Sequence, residues 1–185
     1  MRIIIYKKIS ASTLILGFIA GFLSSLFSGE EAAIGYGAWI HNFYQSEKTE
    51  LLLKALFSGS FFVFTVFLLG LFIFGYLFVY PTSFYWAYTF GFLITSSLMC
   101  FGREAILPII LKLPTVFGTA LLLYCEAAEA VKFSTEIFTN TEFKKLRIST
   151  SQYIGKGLRF SAFSLVIMIY ETFFVPKILN LWVSF

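Results

Sequence analysis

The sequence contains no aspartate, and only 13% of its 185 residues are charged. Soluble domains carry roughly 25% charged residues. A chain with 58% hydrophobic residues also has too little polar surface to cover a soluble core. These shortages exclude an ordinary soluble domain. We therefore predict an all-α integral membrane protein whose main surroundings are the lipid bilayer.

Cysteine, histidine and catalytic motifs are equally scarce. Cys100 and Cys125 lie in apolar stretches and form neither a CxxC pair nor a disulfide framework. The single histidine, His41, has no second cluster of ligand-type residues, so a surface loop is favoured over a metal site. No phosphate-binding glycine loop, HExxH or GxSxG motif occurs. We expect a protein that is not an enzyme and needs no cofactor.

Long apolar runs predict membrane-spanning helices, each of which needs ~20 apolar residues. The runs that fit lie at about 9–27, 55–80, 82–102, 114–134 and 160–179. They predict one domain, a five-helix transmembrane bundle. An outer loop is expected at 29–54 and a basic inner loop at 138–159.

The four prolines are each predicted to interrupt a helix, because proline lacks the backbone N–H of an interior helical position. Pro81 is expected to form the tight turn of a hairpin between the second and third spans. Pro108 and Pro114 lie on either side of Lys112. These two prolines predict a proline-broken, re-entrant or interfacial segment before helix 4. Pro176 breaks the end of the last span.

The basic residues predict orientation. With the N-terminus inside, nine Lys and Arg residues fall on inner segments and five on outer ones. The net charge of +4 is spread between apolar runs, which favours topology determination over nucleic-acid binding. We expect a multi-pass protein of the cell membrane with a cytoplasmic N-terminus and an extracytoplasmic C-terminus.

Small residues recur at every fourth position in two spans, a spacing that allows two helices to approach closely. They are Thr13, Gly17, Gly21 and Ser25 in the first span and Ala87, Gly91 and Thr95 in the third. Two placements stay open for the first set: it packs inside the monomer, or it joins two chains in a homo-oligomer.

Three glutamates lie in predicted spans, where a central charge costs ~2.5–3.5 kcal/mol on insertion scales. Glu126 and Glu129 share a helix face. They either extend to the inner interface, with Glu129 paired to Lys132, or act functionally. Glu171 is expected near the middle of the last span. Either protonated or paired with Lys112, it is expected to clamp that helix against the broken segment. A proton or ion site is the alternative.

The hairpin "FLLGLFIFGYLFVY" and "YTFGFLI" precedes the Leu113-Pro114 break, and "YETFFVPKIL" follows in the last predicted span. This order of motifs resembles the stage II sporulation protein M family. The residues that carry the resemblance are Gly91, Pro114, Glu171 and Pro176. It implies a non-catalytic membrane scaffold that recruits peptidoglycan hydrolases, or other membrane or wall-associated proteins, during engulfment in sporulation.

A small transporter or channel component that uses the intramembrane glutamates is the alternative function. A water-filled cavity joining these glutamates across the bilayer favours transport. A dry, closed bundle favours the scaffold.

Overall fold

The computed structural model describes residues 2–28, 59–139, 143–175 and 177–178. Within these ranges every regular element is helical, so the prediction of an all-α protein is confirmed. The helices are α1 (Arg2–Phe27), α2 (Phe61–Gly70), α3 (Tyr76–Phe101), α4 (Ile106–Thr139) and α5 (Phe143–Ile169). A 3₁₀ turn, Gly102–Ala105, joins α3 to α4, and a π-helical turn, Tyr170–Phe174, continues α5.

Four of the five described helices are long and apolar enough to cross a bilayer. The candidate spans are Ile3–Phe27, Tyr76–Phe101, Ile106–Thr139 and Ile148–Phe174. Helix α2 has 10 residues, or about 15 Å at the usual helical rise, against a hydrocarbon core of about 30 Å. The chain is therefore a multi-pass membrane protein. In the described part of the predicted second span 55–80, residues 59–80 form a short helix, a turn and the start of α3.

The helices alternate in direction. In α1 and α3 the contacts advance together, from Gly17 beside Phe84 to Gly21 beside Tyr88, so these two helices are parallel. Helix α4 runs antiparallel to α3 and α5. We call the end where α1 begins the near end and the opposite end the far end. The near end holds the α2–α3 turn and the passage from α4 to α5. The far end holds the α3–α4 turn and the end of α5.

The predicted turn at Pro81 is wrong. Pro81 lies inside α3, and the chain reverses earlier, at residues 71–75. Proline removes one backbone hydrogen bond, which a membrane helix tolerates when neighbouring groups compensate. The reversal has its own bonds: the N–H groups of Leu71 and Gly75 bond to the carbonyls of Leu68 and Phe72 at 2.9 and 3.0 Å.

The predicted break before helix 4 is also wrong, because α4 is continuous from Ile106 to Thr139. Pro108 is in the first turn of α4, where backbone N–H groups have no intrahelical acceptor. Pro114 is inside the helix, so the span begins at Ile106 and not at 114. The chain turns instead at Gly102, whose φ of 54° is favourable only for glycine. Pro176 lies outside the described residues.

The predicted basic inner loop, 138–159, is mostly helical. Helix α4 continues to Thr139, and α5 begins at Phe143 instead of near 160. Lysine and arginine are good helix formers, and an apolar residue such as Tyr153 gives this stretch a face to bury against α4. The predicted outer loop lies outside the described residues, as does His41.

The core of the bundle lies between α2, α3, α4 and α5. Val63, Val66, Val79 and Leu123 are fully buried there. The ring of Tyr153 stacks between those of Phe67 and Phe133, with centroid separations of 5.5 and 4.5 Å. These contacts fix Tyr153 of α5 beside α2 and α4.

Candidate functional site

A line of ionisable side chains runs along the contact between α4 and α5. Because these helices are antiparallel, α4 residues from the far end to the near end meet α5 residues in reverse order. We call this line of contacts the α4–α5 polar seam. Its paired residues are Lys112 with Glu171, Glu126 with Tyr153, Glu129 with Lys156 and Glu136 with Ser149.

Lys112 and Glu171 form the far-end contact of the seam. Lys112 Nζ lies 3.4 Å from Glu171 Oε1, and the two residues are 9% and 7% exposed. The pairing expected from the sequence is therefore present. Its partner segment is the continuous helix α4, because the broken segment expected there does not form.

The depth of Glu171 in the bilayer stays a prediction, but its position along the last helix differs from the one expected. The residue lies in the turn Tyr170–Phe174, which closes the span Ile148–Phe174. The sequence placed Glu171 in mid-span because the last span was expected to begin near residue 160, whereas α5 begins at Phe143. The Lys112–Glu171 pair therefore belongs to the far end of the bundle.

Glu126 does not extend to an interface. The residue is 0% exposed, and its Oε1 atom lies 3.4 Å from the hydroxyl oxygen of Tyr153. Its Oε2 atom has no hydrogen-bond partner within the described part of the chain. Burial of a polar atom without a partner is costly, so this carboxyl group requires an explanation.

Glu129 lies one turn nearer the near end than Glu126. The expected Glu129–Lys132 pair is replaced by two others: Lys156 Nζ lies 2.9 Å from Glu129 Oε1, and Lys132 Nζ lies 3.8 Å from Glu136 Oε1. The antiparallel α5 supplies the closer cation for Glu129. The side chains of Lys132 and Lys156 are nearly half exposed, at 44% and 47%. Exposed pairs of this kind contribute about 0–1 kcal/mol.

A small cleft opens at the near end of the seam. Glu129, Lys132, Glu136, Tyr153 and Lys156 are among its lining residues, and its volume is about 20 Å³. That volume is close to the minimum that holds one water molecule. Tyr153 lines this cleft and also contacts Glu126.

The two sets of small residues pack against each other within the chain. A Cβ atom on Gly17 would lie 2.5 Å from the Phe84 carbonyl oxygen and 3.0 Å from Ala87 Cβ. Gly21 and Gly91 make similar backbone approaches to Tyr88 and Phe18. The glycines of the first set therefore pack on α3 of the same chain.

The remaining small residues, Thr13, Ser25 and Thr95, form no hydrogen bond between helices in the described part of the chain. Ser25 is buried at 1% exposure, whereas the Thr13 hydroxyl donates to Ile9 of its own helix. Thr95 is buried and donates to the Gly91 carbonyl, also within its own helix.

Several hydroxyl groups that join helices were missed by the sequence analysis. Ser134 of α4 donates to Phe72 O at 2.6 Å and accepts from Tyr76 N–H at 3.2 Å, which secures the α2–α3 turn. Ser60 donates to Ser164 O at 2.9 Å, and Ser10 donates to Tyr124 O at 3.2 Å. An isolated serine in an apolar run carries no local signal of its partner, so the sequence alone could not assign these bonds.

Metal-ligating groups do not cluster among the residues that the structure describes: no three His, Cys, Asp or Glu side chains are close enough to hold a metal ion. Cys100 and Cys125 are both free thiols. Comparison with protein-family models, curated proteins and solved structures finds no match to this chain.

Proposed function

We propose that this protein is a non-catalytic scaffold of the cell membrane that organises peptidoglycan-remodelling enzymes. The observation that supports it best is the Lys112–Glu171 pair, in which two nearly buried charges neutralise each other across α4 and α5. A paired, desolvated contact suits a helix clamp better than a solvated ion pathway. The close contact of α1 with α3 at their glycines is a second rigid contact between helices.

The partner class comes from the resemblance to the stage II sporulation protein M family, whose scaffold recruits wall hydrolases during engulfment. In this proposal the near end faces the cytoplasm and the C-terminus lies outside the cell. Peptidoglycan hydrolases would then meet the far end, where α5 ends.

Cross-linking followed by affinity purification tests the scaffold. Membranes of the native host carrying the tagged full-length chain are cross-linked and solubilised, and the co-purifying proteins are identified by mass spectrometry. A tagged, unrelated multi-pass protein at matched abundance is the control. Specific enrichment of peptidoglycan hydrolases is expected, and equal recovery with the control contradicts the proposal.

A small transporter or channel component is the second candidate, and buried Glu126 favours it. A carboxyl group with 0% exposure and an oxygen without a described partner is typical of proton or ion sites in membranes. Proteoliposomes loaded with a pH-sensitive dye test it. Proton flux that depends on the purified chain and is abolished by Glu126→Gln supports transport, whereas flux equal to empty liposomes excludes proton transport.

A further inference from the structure

The hydroxyl group of Tyr153 lies between two oxygen atoms that both require a hydrogen-bond partner. It lies 2.8 Å from the backbone carbonyl oxygen of Phe67 and 3.4 Å from Glu126 Oε1. A phenolic hydroxyl has one proton to donate. It can therefore donate to only one of these two oxygens at a time.

The backbone carbonyl oxygen of Phe67 accepts the hydrogen bond that the Tyr153 hydroxyl donates. A carbonyl oxygen only accepts, and its contact with Tyr153 is the shorter of the two. Phe67 is in the last turn of α2, where carbonyls lose their usual intrahelical donors. The N–H of Leu71, which would bond to Phe67 in a continuing helix, bonds to Leu68 at 2.9 Å instead. Tyr153 therefore supplies a C-terminal cap to α2 from a different helix.

Since the Tyr153 hydroxyl donates to Phe67, Glu126 must be the donor if Glu126 and Tyr153 share a hydrogen bond. An ionised carboxylate only accepts hydrogen bonds, so it would face the lone pairs of the Tyr153 oxygen without a proton between them. A neutral carboxylic acid donates one proton and removes this conflict. Neutrality also removes the cost of holding a charge at 0% exposure.

We propose that Glu126 is a proton-binding site, which at neutral pH holds a carboxylic acid proton and donates it through Oε1 to the Tyr153 hydroxyl oxygen. Release of that proton changes the network. The Glu126 carboxylate then accepts a hydrogen bond from the Tyr153 hydroxyl, and the Phe67 carbonyl oxygen loses its hydrogen-bond donor. The occupancy of the site thus controls the hydrogen bond that joins α5 to the end of α2.

Exchange of this proton with the near end proceeds through Tyr153, which lines the cleft with Glu129 and Lys156. The titratable groups that act on Glu126 are Tyr153 and Lys156 from α5 and Glu129 from α4. Lys7 of α1 acts on the adjacent Cys125. Helix α2 contributes backbone alone, because its sequence has no ionisable side chain. The site exists whether or not the chain is a scaffold.

Infrared spectroscopy of the full-length protein in lipid vesicles tests the proposal. All ten acidic side chains are glutamates, so the carbonyl stretch of a protonated carboxylic acid comes from one residue type. At neutral pH we expect such a band, shifted in heavy water and lost in Glu126→Gln. Glu171→Gln is the matched control and leaves the band unchanged, because Glu171 is paired with Lys112. Absence of the band from the wild-type protein, or its survival in Glu126→Gln, overturns the proposal.

Tyr153→Phe provides a second variant in case Glu126→Gln fails to fold. It removes the oxygen that accepts the Glu126 proton and keeps the ring that stacks on Phe133. The carboxylic acid band is then expected to move to higher frequency, as for a more weakly bonded acid. An unshifted band means that Tyr153 is not the acceptor and contradicts the proposal.

Discussion

Several polar residues of this protein bond across helices, where the bilayer offers backbone and side-chain groups no water to bond with. Ser134 shows this most clearly. Its single hydroxyl contacts the carbonyls of Phe72 and Ile73 at 2.6 and 3.1 Å and also accepts the Tyr76 N–H. The turn between α2 and α3 therefore depends on a side chain of α4, far away in sequence.

Replacement of Ser134 by alanine is expected to destabilise the protein by about 1–3 kcal/mol, because buried polar groups of the turn lose their partner. Unfolding of the purified protein in mixed micelles measures this change. Thr139→Ala is the control, since the Thr139 hydroxyl is exposed and bonds to Thr135 of its own helix. Equal stability of the two variants would show that Ser134 does not hold the turn.

At the scale of whole helices, glycine decides how closely α1 and α3 approach. Gly21 and Gly91 each place a helix backbone against the backbone of the other helix, at Tyr88 and Phe18. Backbone atoms cannot move aside as a flexible side chain can. The parallel α1–α3 pair therefore leaves no room for a side chain at these two glycines.

Gly21→Ala is expected to force α1 away from α3 and to cost about 1–3 kcal/mol, as overpacking usually does. Gly155→Ala in α5 is the matched control, because its Cβ atom would meet nothing within 4 Å. Detergent unfolding of both variants provides the measurement. Similar stability of the two variants contradicts close packing at Gly21.

The sequence predicted the helical class and the helix faces where glycines allow close approach, because both leave periodic, local signals, but it left open whether the partner helix belongs to the same chain. The predictions of helix breaks failed at Pro81 and Pro114. A proline identifies one lost hydrogen bond, but whether a helix continues depends on neighbours such as the adjacent helices of the bundle. Pro81 and Pro114 therefore suggested breaks that the structure lacks. Tyr153 was overlooked because its partners, Phe67 and Glu126, come from two other helices.

At the scale of the molecule, several basic residues lie at one end of the helix bundle. Lys7, Lys8, Lys132 and Lys156 lie toward the near end, where α1 and α5 begin and α4 ends. Basic residues are retained on the cytoplasmic side of membranes. The alternating directions also bring the start of α1 and the end of α5 to opposite ends.

Reporter fusions test this orientation. We expect an N-terminal fluorescent protein that matures only in the cytoplasm to fluoresce, and alkaline phosphatase, active only outside, to be active at the C-terminus. Swapping the two reporters is the control and should silence both. The reverse pattern would place the near end outside the cell.

The central claim is that the charged residues of the α4–α5 polar seam hold helices together, and Lys112 and Glu171 test it most directly. Glu171→Gln keeps an oxygen that accepts from Lys112 and should leave folding largely intact. Glu171→Leu removes both the balancing charge and every oxygen that could accept from the buried Lys112 ammonium, and it should cost roughly 3–5 kcal/mol.

A double-mutant cycle completes the measurement. Free energies of unfolding are compared for the wild type, Glu171→Leu, Lys112→Met and the double variant. The account predicts a coupling energy of about 0.5–3 kcal/mol, with the double variant more stable than additivity allows. Zero coupling, together with equal stability of Glu171→Gln and Glu171→Leu, would contradict it.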